Sequence, residues 1–239
     1  LLTHFHSDHI AEIYEVNLGS WVSGRPTPLT VFGPAGVDEV IDGVNASYRL
    51  DRIYRTGHHG EALLAPELGV LQHRTIAPGV IFEDRDLKIT AYVTEHPPIE
   101  PAVGYRFDYK GRSVVVSGDG NVNGDTRDIV DGVDLLLHDA LSVPTVTALS
   151  KAMGAAGRSR QSKIVSDVMD YHASTDSLIE LGEQSNVDMV AFYHLVPVPL
   201  NAVLEDVFKR GMPENFLLAE DLMSFELPIG SDEIVVNRP

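Results

Sequence analysis

The sequence predicts an α/β fold of the layered α+β kind, and two observations carry the prediction. Strand-length apolar runs crowd the stretch from Val80 to Ser117, while the second half of the chain alternates strands with segments of helical spacing. A doubly wound parallel sheet would alternate throughout. No linker or repeat interrupts the 239 residues, so a single domain spanning 1–239 is expected.

The elements follow in order. Leu1–Thr3 reads as the end of a buried strand and Ile10–Val16 as the helix after it. Leu29–Phe32, bounded by Pro28 and Gly33-Pro34, is a short strand. Val37, Val40, Ile41 and Val44 give a helix over Val37–Tyr48, with Asp38, Asp42 and Asp51 forming a solvated face. Residues 55–73 read as an irregular surface loop holding His58, His59 and His73. Val80–Phe82, Leu87–Val93, Ala102–Phe107 and Ser113–Ser117 are strands, with Lys110-Gly111 as a hairpin turn. Val133–Leu137 is a strand and Leu141–Met153 a helix; Thr175–Glu183 is a helix N-capped by Ser174. Met189–Tyr193 is a buried strand, Leu200–Arg210 a helix, and Phe216–Leu218 and Met223–Leu227 short strands. Trp21, the only tryptophan, reads as a packing residue.

Composition narrows the function classes. The chain is 44% hydrophobic and 22% charged, and it has no apolar run of the ~18 residues a membrane span needs, so no membrane partner is expected. With no cysteine, any metal must be held by His and carboxylates. A net charge of −17 repels nucleic acid in bulk. The exception is the segment 150–166, where Lys151, Arg158, Arg160 and Lys163 occur without an acid.

The chemistry is concentrated in Thr3-His4-Phe5-His6-Ser7-Asp8-His9. His4 and His6 lie two apart, so an extended backbone points both rings to one side, and Asp8 and His9 follow where the chain turns into a helix. Further metal-type residues stand at strand ends: His96 before Pro97-Pro98, Asp119 between Gly118 and Gly120, and His194 after Met189–Tyr193. The set is rich in nitrogen with a few carboxylates, which suits zinc, with manganese or iron as alternatives.

The pattern His-x-His-x-Asp-His, a later His, an Asp after a Ser-Gly strand end and a late His resembles the metallo-β-lactamase superfamily. The resemblance implies an αββα sandwich holding two metal ions. In the family's usage His4, His6 and His96 would hold one ion, Asp8, His9 and His194 the other, and Asp119 would bridge them. Two ions that share one carboxylate lie ~3.5–4 Å apart. A zinc-bound water has its pKa lowered to about 7 and yields hydroxide at neutral pH.

The segment His172-Ala173-Ser174-Thr175 and the pair His138-Asp139 resemble the ribonuclease Z and arylsulfatase-like branch. This implies that His172 serves the leaving oxygen and that Asp139 orients His172. Asp139 stands where the branch has Glu, one methylene longer, which leaves its reach to His172 open. His138 reads as a packed strand-end residue. In three further places the chain departs from the branch. Gly120 replaces a Thr, and only a short hairpin separates His96 from Asp119, so the long tRNA-gripping arm is missing. The strands that normally precede the first motif are also absent, and the sequence is expected to be N-terminally incomplete.

The expected function is a binuclear zinc-dependent hydrolase. In it a metal-bound hydroxide attacks a phosphodiester, sulfate ester or carboxylic ester or lactone, with Asp8 as ligand and proton acceptor. Acidity and the missing arm favour a small-molecule ester over tRNA. The alternatives are a tRNA 3′-end endoribonuclease using the 150–166 strip, and a non-catalytic metal-binding remnant. Monomer and homodimer both remain open, as does the compartment.

Overall fold

The computed structural model describes every residue from Leu1 to Pro239, and its backbone contacts gather into two compact units, Leu1–Ala77 and Pro78–Pro239. No helix is long and apolar enough to cross a membrane.

In the first unit a short helix α1 (Ser7–Ile10) leads into α2 (Ile13–Val22), followed by strand β1 (Thr30–Gly33), α3 (Val37–Ser47) and α4 (Arg49–His59). Strand β2 (Gln72–Thr75) closes the unit and runs parallel to β1. The Leu2 amide donates to the Phe32 carbonyl at 2.8 Å, which lays the opening residues beside β1. Val31, Val37, Ile41 and Leu71 form the core, with Leu2, Phe5, Ile13, Leu29 and Val44 packed against it.

Two expectations are corrected. Residues 55–73 are not an irregular loop: they hold the end of α4, a 3₁₀ turn at Pro66–Gly69 and the start of β2. The residues that α4 buries are Arg52 and Thr56, so its inner face is polar and carries no apolar period. His58 and His59 are exposed on α4, and His73 is exposed on β2. Asp38 and Asp42 are exposed on α3, whereas Asp51 lies on α4 and binds Arg55 at 2.8 Å and the Tyr14 hydroxyl. Trp21 is 2% exposed and donates its indole N–H to the Ala65 carbonyl.

The second unit is built on a seven-stranded mixed sheet flanked by helices. Its strands, in spatial as in chain order, are β3 (Gly79–Glu83), β4 (Leu87–His96), β5 (Ile99–Tyr109), β6 (Arg112–Val116), β7 (Leu135–Leu141), β8 (Met189–Val196) and β9 (Phe216–Leu218). The first four are antiparallel hairpin neighbours; from β6 onward pairing is parallel. Lys110 (φ 49°) and Gly111 (φ 83°) both take positive φ between β5 and β6, as a tight hairpin requires. Parallel pairing needs crossovers. These are α5 (Gly124–Val130), then α6 (Val143–Ala155), α7 (Ser159–Asp167) and α8 (Thr175–Gln184), and finally α9 (Ala202–Phe208). A small hairpin, β10 (Ser224–Glu226) and β11 (Val235–Asn237), ends the chain.

Ser174 caps α8, its Oγ accepting from the Ser177 amide at 3.1 Å, as the sequence predicts. Val115, Leu136, Val190 and Phe192 from the central strands meet Leu178 and Leu181 of α8 in the core. Strands β7 and β8 both run further than their apolar periodicity suggests, so His138, Asp139 and His194 lie within strands, not beyond their ends.

Candidate metal centre

In the first unit, His6 keeps an extended backbone (φ −61°, ψ 151°) and α1 begins at the next residue. The segment through His6 therefore presents one pair of rings, and the first turn of α1 carries Asp8 and His9. His4 is fully buried; its Nδ1 lies 3.1 Å from the Thr3 hydroxyl and its Nε2 3.1 Å from Nδ1 of His6. The His4 and His9 rings are 4.1 Å apart between centroids, and His9 Nε2 is 3.5 Å from a carboxylate oxygen of Asp8. Four metal-type side chains thus converge within six residues. His6 and Asp8 are exposed, whereas His4 is buried.

In the second unit three donors stand near the carboxyl ends of β4, β6 and β8, and His172 lies just before α8. His96 is the last residue of β4 and is 2% exposed. Its Nδ1 is 2.9 Å from the Tyr171 carbonyl, which can only accept. That contact sets the tautomer, with the proton on Nδ1 and the lone pair on Nε2.

Asp119 follows β6, is 2% exposed, and sits between Gly118 (φ 66°) and Gly120 (φ 153°). The second glycine has a steric reason. A Cβ there would stand 3.0 Å from the Thr94 Cβ and 3.1 Å from the Glu95 carbonyl oxygen. The Asp119 turn is therefore pressed against the end of β4, and the Asn121 amide donates to that same Glu95 carbonyl at 2.8 Å.

His194 is positioned by an irregularity that no sequence pattern reveals. Tyr193 pairs with Asp139 and Leu195 with Ala140, so His194 has no partner residue on β7, and its φ is 42°. A bulge of this kind re-aims one side chain, and a non-glycine residue at positive φ costs of order 1–3 kcal/mol. His194 Nε2 comes within 3.6 Å of Asp119 Oδ2, and its ring stacks on His172 at 5.6 Å. The ligand atoms of Asp119, His172 and His194 all lie within 4.8 Å of one another. Asp119 and His194 thus lie close enough to share an ion, with His172 beside them. Imidazole and carboxylate donors without sulfur are a hard-to-borderline set, which fits zinc and its first-row neighbours.

His172 also answers the question of reach. Its Nδ1 donates to Asp139 Oδ2 at 2.8 Å, so the shorter carboxylate does contact the ring. Asp139 is fully buried, accepts at Oδ2 from His172, and receives a bond at its amide: Ser117 Oγ is the acceptor, 3.2 Å away. His138 is packed as expected, yet it is also next to this carboxylate: its Nδ1 is 2.9 Å from the Asp139 carbonyl and 2.9 Å from Oδ1. The His172 bond satisfies Oδ2 of this buried carboxylate, as a buried acceptor requires. Burial, with the negative charges of Asp139 and Asp119 nearby, pushes the Tyr193 phenol up and keeps it neutral.

Sequence reasoning passed over two supporting groups, Asn121 and Tyr171, and read His138 as packed without seeing its place beside Asp139. Asn121 ties the Asp119 turn to the Asp170 carbonyl at 2.8 Å, Tyr171 supplies the carbonyl for His96, and His138 flanks Asp139. Only their nearness to strand-end donors marks them in the sequence.

Residues 1–194 match the family model described as a beta-lactamase superfamily domain. This chain is a member of the metallo-β-lactamase superfamily. Its similarity runs to ribonuclease Z. It is 33% identical over 202 residues to the ribonuclease Z of Mycobacterium bovis (strain BCG / Pasteur 1173P2), covering 82% of this chain and 66% of that protein. It is 28% identical over 235 residues to the ribonuclease Z of Mycobacterium sp. (strain KMS), covering 96% of this chain and 78% of the relative. The chain thus spans about two thirds of the M. bovis protein's length. Among solved structures, the metallo-beta-lactamase fold protein YhfI from Bacillus subtilis superposes with a TM-score of 0.60 at 16% identity, over 92% of this chain and 73% of that one. As in that fold, a mixed sheet is flanked by helices. The His/Asp donor groups, in this superfamily, are those of a metal-dependent hydrolase acting on an ester-type bond, with capacity for one or two ions.

Proposed function

We propose that the protein is a binuclear zinc hydrolase that cleaves an ester-type bond of a small molecule: a phosphodiester, a sulfate ester or a carboxylic ester or lactone. The observation that carries this reading is the His172–Asp139 hydrogen bond set beside the donors Asp119 and His194. A purely structural metal site has no use for an oriented histidine with a nitrogen left over.

By the family's usage His4, His6, Asp8, His9, His96, Asp119 and His194 would hold the metal. When bound, zinc supplies Lewis acidity, acidifying a water and offsetting the charge that builds at the ester centre. The chain's own residues do the rest. Asp8 takes up the proton that the water gives off. The bond to the leaving oxygen breaks as His172, through the nitrogen not held by Asp139, delivers a proton to it. Asp139 keeps that ring from rotating, because its Oδ2 accepts the opposite N–H at 2.8 Å. The Asp119→Ala variant should lose bound zinc and turnover of a bis-aryl phosphodiester or aryl ester together; retained turnover would sink the reading.

A second reading, tRNA 3′-end cleavage, is favoured by the similarity to ribonuclease Z and by the exposed Lys151 on α6, Arg158 in the turn after it and Arg160 on α7. The net charge of −17 and the short β5–β6 hairpin weigh against it. Binding to pre-tRNA that falls steeply with salt would support it, and no binding at low salt would remove it.

A further inference from the structure

We infer that Ser117 is a positioning residue of the centre: its buried hydroxyl couples the turn that presents Asp119 to the Asp139–His172 pair. This deepens the hydrolase reading above and rests on it.

The parallel ladder of β6 and β7 pairs Val114 with Leu135 and Val116 with Leu137. The Ser117 amide adds one more rung, donating to the Leu137 carbonyl at 3.0 Å. In a regular ladder the next rung would carry the Asp139 amide to the Ser117 carbonyl. The chain leaves the sheet there instead, at Gly118 with φ 66°. The Ser117 side chain takes over, and its Oγ accepts the Asp139 N–H at 3.2 Å. A side chain thus completes the ladder at the residue whose carboxylate holds His172 Nδ1 at 2.8 Å.

The same oxygen acts in the other direction. A hydroxyl has one proton and two lone pairs, and an amide can only donate. The Asp139 bond therefore uses a lone pair and leaves the proton for the Gly118 carbonyl, to which Ser117 Oγ donates. That carbonyl belongs to the peptide that enters Asp119, between two glycines at positive φ, where the backbone is least restrained. Tyr193 closes the cluster from β8, hydrogen-bonded to the Ser117 side chain and the Gly118 backbone. Ser117 and Asp139 are both fully buried, so solvent does not stand in for the hydroxyl. Its removal orphans the Asp139 N–H, and a buried donor without a partner is costly.

The test is Ser117→Ala, which removes one atom, made in the unsubstituted protein and in His172→Ala. At saturating zinc, kcat/KM on an alkyl ester, whose leaving oxygen needs a proton, should fall roughly fivefold, the weight of one hydrogen bond. The p-nitrophenyl counterpart should lose less than about twofold, because its leaving group departs without a proton. In His172→Ala the same substitution should cost the alkyl ester nothing further. Two readouts stand apart from turnover. The zinc dissociation constant should rise about tenfold in a competition titration, and the Asp139 amide should exchange its hydrogen about tenfold faster by NMR in the zinc-free protein. Equal losses on both esters, or a full loss that persists in His172→Ala, would make Ser117 a support of the fold alone and overturn the inference. Unchanged zinc affinity or unchanged exchange would overturn it as well. If the unsubstituted protein turns over no ester while affinity and exchange shift as stated, the hydrolase reading falls and the coupling stands. Ester turnover with neither shift would do the reverse.

Discussion

The role proposed for His172 can be separated from mere support of the fold by the leaving group it must serve. A p-nitrophenolate departs without a proton, whereas an alkoxide requires one. General acid catalysis contributes roughly 10²–10⁴-fold, so His172→Ala should cost about that factor on an alkyl ester and well under tenfold on its p-nitrophenyl counterpart. Asp139→Asn gives the graded version. The substituted amide can still accept from His172 Nδ1 across the present 2.8 Å, but the bond is no longer charge-assisted. Charge-assisted hydrogen bonds exceed neutral ones by about 1–1.5 kcal/mol, equivalent to roughly tenfold. Asp139→Glu, restoring the longer acid of the branch, has no room: Asp139 is fully buried, and overpacking costs typically ~1–3 kcal/mol. The assay is kcat/KM on the paired esters, with zinc content measured on each variant. Equal losses on both esters at full zinc occupancy would refute the assignment and leave His172 as a ligand or a packing residue.

Other perturbations test the scaffold around the site. Gly120→Ala forces a Cβ to 3.0 Å from Thr94 and 3.1 Å from the Glu95 carbonyl at φ 153°, and should lower stability by about 1–3 kcal/mol in thermal melts while weakening zinc affinity. A melting temperature unchanged from wild type would show that the turn yields freely. Asn121→Ala should leave Asp119 in place but loosen its tie to Asp170, raising the zinc dissociation constant about 10–100-fold; unchanged affinity in a competition titration would contradict this. In the first unit the Arg55 guanidinium, then the Tyr14 hydroxyl, holds the Asp51 carboxyl below the usual carboxylate range. A depressed acid stabilises the fold above its unfolded value of ~3.9, and that contribution vanishes as pH falls through the folded value. Asp51→Asn should therefore melt slightly lower than wild type at pH 7, by less than ~1 kcal/mol, and no lower at pH 2.5. A deficit that persists in acid would place the effect in packing.

The sequence made the donor chemistry legible because ligand spacing is local. Two residues of extended chain set His4 beside His6, and one turn of α1 sets Asp8 beside His9. The strand positions of the second unit were legible for a similar reason: a Lys-Gly turn and apolar runs act over a few residues. Failures came where tertiary contacts override local signal. The buried face of α4 is Arg52 and Thr56, whose polar heads bond backbone carbonyls of Asn45 and Leu64, so no period announces the helix. The bulge at His194 depends on the register of β7 against β8, which a single strand cannot encode. Asp139's reach was undecidable in sequence because it depends on the distance between β7 and the chain entering α8, which the Leu141 amide to Ala173 carbonyl bond fixes at 2.7 Å.

The α6–α7 hairpin is pinned at both feet. The Ser142 amide bonds the Val196 carbonyl at its start, and the Asp170 and Tyr171 carbonyls receive Asn121 and His96 at its end. Whatever happens between these ties is mechanically uncoupled from the donors. The hairpin can lengthen, shorten or exchange its charges without moving His172, and its tip at Gly154–Gly157 can carry an inserted reporter peptide with the centre left intact.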